Sequence, residues 1–191
     1  MKGTLFVVSG PAGVGKGTII AEAFKQLDGI VYSVSCTTRP PRPGEAEGKN
    51  YFFIGEEEFL RLADDGRFLE WAVVHGHYYG TRRDVVEESL LAGIDVLLEI
   101  DVQGAAQVKR KMSDAVTIFI EPPGFAELEK RLRTRGTEKS EELAIRIENA
   151  RKELAEADKY EYRIVNDKVS KAVRSFIEIV KKHREDQNDL S

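Results

Sequence analysis

Leu5-Phe6-Val7-Val8-Ser9 runs directly into Gly10-Pro11-Ala12-Gly13-Val14-Gly15-Lys16-Gly17-Thr18, and the reading of this stretch decides the fold. An unbroken apolar run closed by glycine reads as a buried strand. Ile19, Ile20, Ala23, Phe24 and Leu27 then recur at helical spacing, so a helix is expected over Thr18 to Leu27. Between them, glycines let backbone N–H groups curl around phosphate oxygens without side-chain clash. The N-terminus of the following helix adds a positive dipole end at the same place. Lys16 supplies a reaching cation for the outer phosphates. Gly10, Pro11, Ala12, Gly13, Val14, Gly15, Lys16, Gly17 and Thr18 are therefore the expected cradle for a nucleoside triphosphate. The competing reading, a glycine-rich turn that merely contains a lysine, fits poorly with a strand before it and a helix after.

The loop departs from the common pattern in one respect. The usual G-x-x-x-x-G-K is followed by Ser or Thr, whose hydroxyl holds Mg²⁺. Here Gly17 follows Lys16, so that direct bond is impossible, and Thr18 is left to meet a phosphate or Mg²⁺ through water. No N-K-x-D motif for guanine reading of the GTPase kind is present.

Outward from this loop, the chain alternates strand and helix. Strands are expected at Val31–Val34, Ile94–Ile100, Thr117–Ile120 and Arg163–Val165. Ile94–Ile100 is apolar almost throughout, the mark of a strand covered on both faces of a parallel sheet. Helices are expected around Phe59–Ala63, over Val85–Leu91, from Phe125 through Leu132, over Ser140–Ala157 and over Val169–Lys182, with a frayed polar tail from Glu185. Residues 35–55, rich in Pro, Gly and charge, read as mostly non-helical. The fold class implied is α/β, a mainly parallel sheet flanked by helices, with ligands at the carboxyl ends of the strands.

The 191 residues make one ordinary domain with room for insertions, 41% hydrophobic and 32% charged. A net charge of −4 argues against nucleic acid as partner. Any cationic site must be built locally from clustered arginines. The single Cys36 forms no internal disulfide, no apolar run reaches the length of a membrane span, and no signal-peptide core precedes the first strand. A cytoplasmic protein without a membrane partner is expected. The sequence leaves oligomeric state open.

Arg39 and Arg42 stand three apart in the proline-stiffened stretch Ser35-Cys36-Thr37-Thr38-Arg39-Pro40-Pro41-Arg42-Pro43-Gly44-Glu45. Two guanidiniums held this way suit a phosphate, although two arginines in a loop are commonly just solvated. Further on come Gly48-Lys49-Asn50-Tyr51-Phe52-Phe53, Phe68-Leu69-Glu70-Trp71-Ala72 and Tyr78-Tyr79-Gly80-Thr81. By itself Glu70 reads as a surface carboxylate beside a core Trp71.

These motifs, in this order with the phosphate loop, resemble guanylate kinases, and the resemblance runs from Thr4 to about Val180. It implies a P-loop kinase core (1–34 and 84–191) with a nucleoside-monophosphate-binding insertion at 35–83 and a lid at about 135–151. It implies transfer of the γ-phosphoryl group of ATP to GMP with Mg²⁺, in purine nucleotide metabolism. On the acceptor side it implies Arg39, Arg42 and Tyr51 as phosphate ligands with Tyr79 nearby. Glu70 would accept hydrogen bonds from guanine N1–H and the 2-amino group, Ser35 and Thr81 would touch the base, and Asp101 would lie near the ribose or base and the metal, with Glu99 close by. Thr18 and Asp101 are the metal candidates, through water. On the donor side Arg131 and Asn166 would meet adenine, while Arg135 and Arg146 would close over the ATP phosphates. Lys16, Arg39, Arg135 and Arg146 are thus the expected catalytic set.

The chemistry agrees. An ionised carboxylate only accepts hydrogen bonds, and guanine offers two adjacent donors where adenine has a bare ring nitrogen. The attacking phosphate oxygen is already ionised, so no general base is needed, and His75, His77 and His183 are left to the surface or to packing. Ala12 stands where Ser is common in the family loop, and Cys36 where Ser or Thr is usual. The resemblance also leaves three rivals. One is a scaffold module that keeps the fold without phosphotransfer. Another is a P-loop kinase for a different phosphate ester, and the third an AMP or UMP kinase. The intact Lys16, Arg39, Arg42 and Glu70 weigh against them.

Overall fold

The structure, a computed structural model, describes residues 2–74, 76–135 and 140–189, with side chains described except at 135, 140–142 and 187–189. His75 and the 136–139 part of the expected lid lie outside the described residues.

Strand β1 (Leu5–Ser9) is buried along its whole length and sits at the centre of a five-stranded sheet. Its partners are β7 (Asp95–Glu99) on one side and β8 (Val116–Glu121) on the other. β2 (Ile30–Tyr32) and β9 (Tyr162–Val165) form the edges, and all pairings are parallel. Alternate residues of β1 feed two separate cores. Phe6 and Val8 pack with α1 (Lys16–Phe24), α5 (Phe125–Arg135) and α7 (Val169–Asp189) through Ile20, Leu132 and Phe176. Leu5 and Val7 pack with α3 (Arg83–Leu91) and α4 (Val102–Lys111) through Leu90 and Val108. Burial on both faces is why β1 and β7 carry no polar alternation.

A second sheet, in the order β4-β3-β6-β5, lies within residues 36–82: β3 (Cys36–Thr37), β4 (Phe52–Phe53), β5 (Phe68–Val74) and β6 (His77–Arg82). It packs on α2 (Glu56–Asp64), where Phe59 stacks on Phe68 at 4.4 Å. None of these short strands is expected from the sequence. A two-residue strand has no period to read, and the β5–β6 ladder contains a register shift between Phe68 and Glu70.

That bulge reverses the residue-level expectation at Glu70. Phe68 and Trp71 both meet Phe59, although they are three apart. The two residues between them turn the other way: Leu69 joins the core of Val108, and Glu70 faces Gly104. An extra residue in one strand sends two consecutive side chains to one face. Glu70 is consequently 7% exposed and Trp71 37% exposed, the opposite of a surface carboxylate beside a core tryptophan.

Other boundaries move by a few residues. β2 ends at Tyr32, and α1 spans Lys16–Phe24 rather than Thr18–Leu27. The helix α6 spans Ser140–Leu154, and a 3₁₀ turn at Ala157–Lys159 follows it. The last helix runs to Asp189, through the stretch expected to fray. Its extension is tied down: Arg184 Nε donates to buried Asp95, and His183 packs edge-on against Phe6 with its Nε2 3.1 Å from the Tyr162 hydroxyl.

Candidate active site

The phosphate loop is fixed by contacts that only glycine permits. Gly10 has φ of 149°, and a Cβ there would fall 2.2 Å from the Ile120 carbonyl oxygen. Gly15, at φ of 97°, precedes the first turn of α1, and a Cβ there would fall 2.6 Å from Asn166 Nδ2. Lys16 folds back over the loop, donating to the Gly10 carbonyl at 2.5 Å. Burial pulls its pKa down, opposed by the negative charges of Glu99, Glu153 and Asp101. Thr18 and Gly17 are exposed at the same end of α1.

Asn166 is buried and ties the loop to the end of β9, donating from Nδ2 to the Val14 carbonyl at 2.8 Å. Its own carbonyl accepts Arg131 Nη2 at 3.3 Å, and Arg131 also pairs with Glu127 one helical turn away. Together with Gly13, Gly15 and Thr18 they line a cavity of about 360 Å³.

A second cluster forms on the small sheet. Arg39 is 9% exposed, and each of its guanidinium nitrogens has a partner. Nε donates to the Tyr79 hydroxyl at 3.2 Å, Nη1 to the Pro40 carbonyl at 2.8 Å and Nη2 to Glu45 Oε1 at 2.9 Å. The hydrogen bonds to Glu45 and Tyr79 push its pKa up, and the same pairing holds Glu45 down. Its guanidinium lies 5.5 Å from the centre of the Tyr51 ring, which meets Tyr79 edge-on at 5.8 Å. Arg42 is exposed and enters this cluster through its backbone, its N–H donating to Glu45 Oε2 at 2.7 Å. Ser35 joins through its carbonyl, which accepts the Phe52 N–H.

Glu70 stands opposite Thr81 across the β5–β6 ladder, and the Thr81 hydroxyl donates to Glu70 Oε1 at 2.6 Å. Burial raises the Glu70 pKa, and Asp101 adds to the rise. Thr81 and Lys111 oppose it. Asp101 caps α4, its Oδ1 accepting the Gly104 N–H at 2.7 Å, which is why Gln103 and Gly104 lie in that helix's first turn. Asp101, Gln103, Gln107 and Glu153 line a second cavity of about 680 Å³. Thr18 and Asp101 thus open on different cavities.

Arg146 is half-buried on α6, and the Arg135 side chain lies outside the described residues. Among the described residues no group of three or more His, Cys, Asp or Glu converges in a way that would hold a metal by protein ligands alone. Two residues escape the sequence reading. Glu45 carries a weak signal, since it closes a proline-glycine turn back onto Arg42. Glu153, whose negative charge lies beside Lys16, carries none, because nothing local distinguishes it from other charges on α6.

Comparison with known proteins decides between the rival readings of this arrangement. The family model described as guanylate kinase matches residues 2–183. The chain belongs to the guanylate kinase family. A guanylate kinase from Thermotoga maritima is 53% identical over 96% of this chain and 89% of its own length. One from Caldanaerobacter subterraneus subsp. tengcongensis is 48% identical over 98% of this chain and 92% of its own. The crystal structure of guanylate kinase from Anaplasma phagocytophilum superimposes with a TM-score of 0.74 at 34% identity, covering 95% of this chain and 86% of that one. A member of this family is a nucleoside-monophosphate kinase, and both its parallel core and its small second sheet belong to that match.

Proposed function

We propose that the chain transfers the γ-phosphoryl group of MgATP to GMP, giving ADP and GDP. The observation that carries this is Glu70: a buried carboxylate facing Gly104 of α4 and held by Thr81, which lies two residues along β6 from the Tyr79 of the Arg39–Tyr51–Tyr79 cluster. A buried acceptor needs donors, and guanine supplies two side by side. Family membership and near full-length identity to guanylate kinases support the same reaction.

In this reading Gly10 to Thr18 hold the ATP phosphates, and Arg131 and Asn166 flank the adenine. Arg39, Arg42, Tyr51 and Tyr79 hold the GMP phosphate, and Glu70, Ser35, Thr81 and Asp101 hold the guanosine. A GMP phosphate oxygen bonds to the γ-phosphorus as the bond to the bridging β–γ oxygen breaks, and that electron pair leaves on ADP. Lys16, Arg39, Arg135 and Arg146 neutralise the equatorial charge. Both substrates are anions, so positioning against their repulsion is the main task of the protein. Residues 35–83 and 135–151 are the segments that would close to exclude water.

Mg²⁺ fits this donor set. Glu99 and Asp101 bring hard oxygen ligands to the end of β7 beside Lys16, and Mg²⁺ is a hard cation that takes oxygen ligands and ordinarily keeps several waters. Those two carboxylates would hold it through water, and the ion would neutralise phosphate charge; Thr18, which opens on the other cavity, would meet a phosphate instead. Among the described residues no helix is long and apolar enough to cross a membrane. A cytoplasmic setting, supported by the single unpaired Cys36, belongs to the same proposal.

The test is ADP release from MgATP with GMP, AMP, UMP, CMP and dTMP offered in turn. Strong preference for GMP is the expected result. Turnover with AMP instead would overturn the Glu70 assignment, and no turnover with any acceptor would return the scaffold or sugar-phosphate readings.

A further inference from the structure

Three residues on one stripe of α4 reach the strand that carries Glu70. Gln107 and Lys111 follow Gly104 by three and seven residues, which aligns all three on a helix of about 3.6 residues per turn. Gln107 Oε1 accepts the Trp71 N–H at 3.3 Å, and its Nε2 donates to the Trp71 carbonyl at 3.2 Å. Strand β5 is the edge of its sheet, so this side-chain amide pairs with the free edge as a neighbouring strand would. Lys111 Nζ donates to the Phe68 carbonyl at 2.8 Å. Gly104 leaves room: a Cβ there would lie 3.1 Å from Glu70 Oε2.

The two anchored residues, Phe68 and Trp71, bracket the bulge that turns Leu69 and Glu70 inward. A bulge leaves one residue without a ladder partner and is locally deformable, and a slip of one residue would swing Glu70 off its face. We infer that Gly104, Gln107 and Lys111 are positioning residues for guanine reading: they set the register and depth of the Glu70 carboxylate relative to α4 and Asp101. None of the three needs to touch the base. This rests on the reading of Glu70 given above.

The experiment compares KM for GMP, for IMP and for MgATP, with kcat, across wild type, Glu70→Gln, Gln107→Ala, Lys111→Met, Lys111→Arg and Gly104→Ala. IMP lacks the 2-amino group, so the GMP-over-IMP preference reports the carboxylate contact itself. Gln107→Ala and Lys111→Met are expected to raise KM for GMP roughly three- to tenfold and to lower the GMP-over-IMP preference towards that of Glu70→Gln. KM for MgATP and kcat at saturating GMP should stay within about twofold, and Lys111→Arg should restore the preference. Gly104→Ala separates positioning from stability, since its methyl would press on the Glu70 carboxylate from 3.1 Å: KM for GMP should rise while the melting temperature stays within a few degrees of wild type. If Glu70→Gln abolishes the preference and the α4 variants keep it, the inference is wrong and the Glu70 reading stands. If Glu70→Gln keeps the preference, the Glu70 reading falls and the inference with it.

Discussion

Glu45 Oε1 lies 2.9 Å from Arg39 Nη2, in an ion pair whose side chains are 19% and 10% exposed. The other Glu45 oxygen accepts the Arg42 N–H. One carboxylate therefore gathers the two arginines that the loop sequence singles out, in the manner a phosphate would.

Arg39 is the centre of that cluster because its fork serves three partners at fixed angles. A lysine offers a point charge and cannot hold Tyr79, Pro40 and Glu45 at once. Arg39→Lys is expected to raise KM for GMP by about tenfold or more, from the lost bidentate geometry, while KM for MgATP stays close to wild type. Initial-rate kinetics with each substrate varied in turn check this. Equal changes in both constants would remove Arg39 from the acceptor site.

Glu70 carries the pH dependence. Its folded-state pKa is raised above the ordinary 4.5, first by burial and then by Asp101, with Thr81 and Lys111 opposing. A raised carboxyl pKa means that the protonated form persists to higher pH, and a protonated Glu70 loses its acceptor for the guanine donors. KM for GMP is therefore expected to rise as pH falls through a midpoint above 4.5. GMP itself takes up a phosphate proton near pH 6, by about one unit of charge, so the measured quantity is the ratio of wild-type KM to that of Glu70→Gln. That ratio should climb on acidification, and a flat ratio would remove Glu70 from base reading. The linkage also applies to folding: the raised pKa makes ionised Glu70 a destabilising group, so free protein gains stability from this site as pH falls and loses it as pH rises.

How much of this was legible in the sequence follows from the physics of each element. β1, β7 and β8 announce themselves because a strand covered on both faces is apolar along most of its length, and the loop after β1 announces itself through its glycines. The insertion resists reading for the opposite reason. β3 and β4 are two residues each, and β5 hides its orientation behind a bulge that sequence periodicity cannot register. The family resemblance, not the residue pattern, put Glu70 in the site, and the bulge explains why the pattern pointed the other way. Glu45 and Glu153 lie 6 and 137 residues from Arg39 and Lys16, the charges they stand beside. Only the first separation is short enough for a local motif to carry it.

Lys16 is desolvated, which lowers its pKa, and it is kept among Glu99, Glu153 and Asp101. Its ammonium group donates to loop carbonyls, contacts a phosphate would compete for. Lys16→Ala should leave the melting temperature within a few degrees of wild type, because the group is only partly buried, and should lower kcat by about two orders of magnitude or more through lost stabilisation of the transferring group. Circular dichroism and single-turnover rates check the two halves separately. A large fall in melting temperature would make Lys16 structural instead.

Asp95 offers the matching control on the structural side. It begins β7, is 5% exposed, and its two carboxylate oxygens accept the Thr4 N–H at 2.7 Å and Arg184 Nε at 2.8 Å. Arg184 in turn donates to the Asp28 carbonyl at 2.7 Å, so one pair ties the start of the central sheet to the end of α7. Asp95→Ala removes the acceptor of the Thr4 N–H and of Arg184 Nε, while Arg184 Nη2 keeps the Asp28 carbonyl. The expected loss is about 2–3 kcal/mol in urea unfolding, below the figure for a fully buried pair because Arg184 is partly solvated. The site lies at the opposite end of β7 from Glu99 and Asp101, so kcat and both KM values at 25 °C should match wild type. A change in catalysis without a loss of stability would mean that the sheet transmits strain from its amino end to the active site.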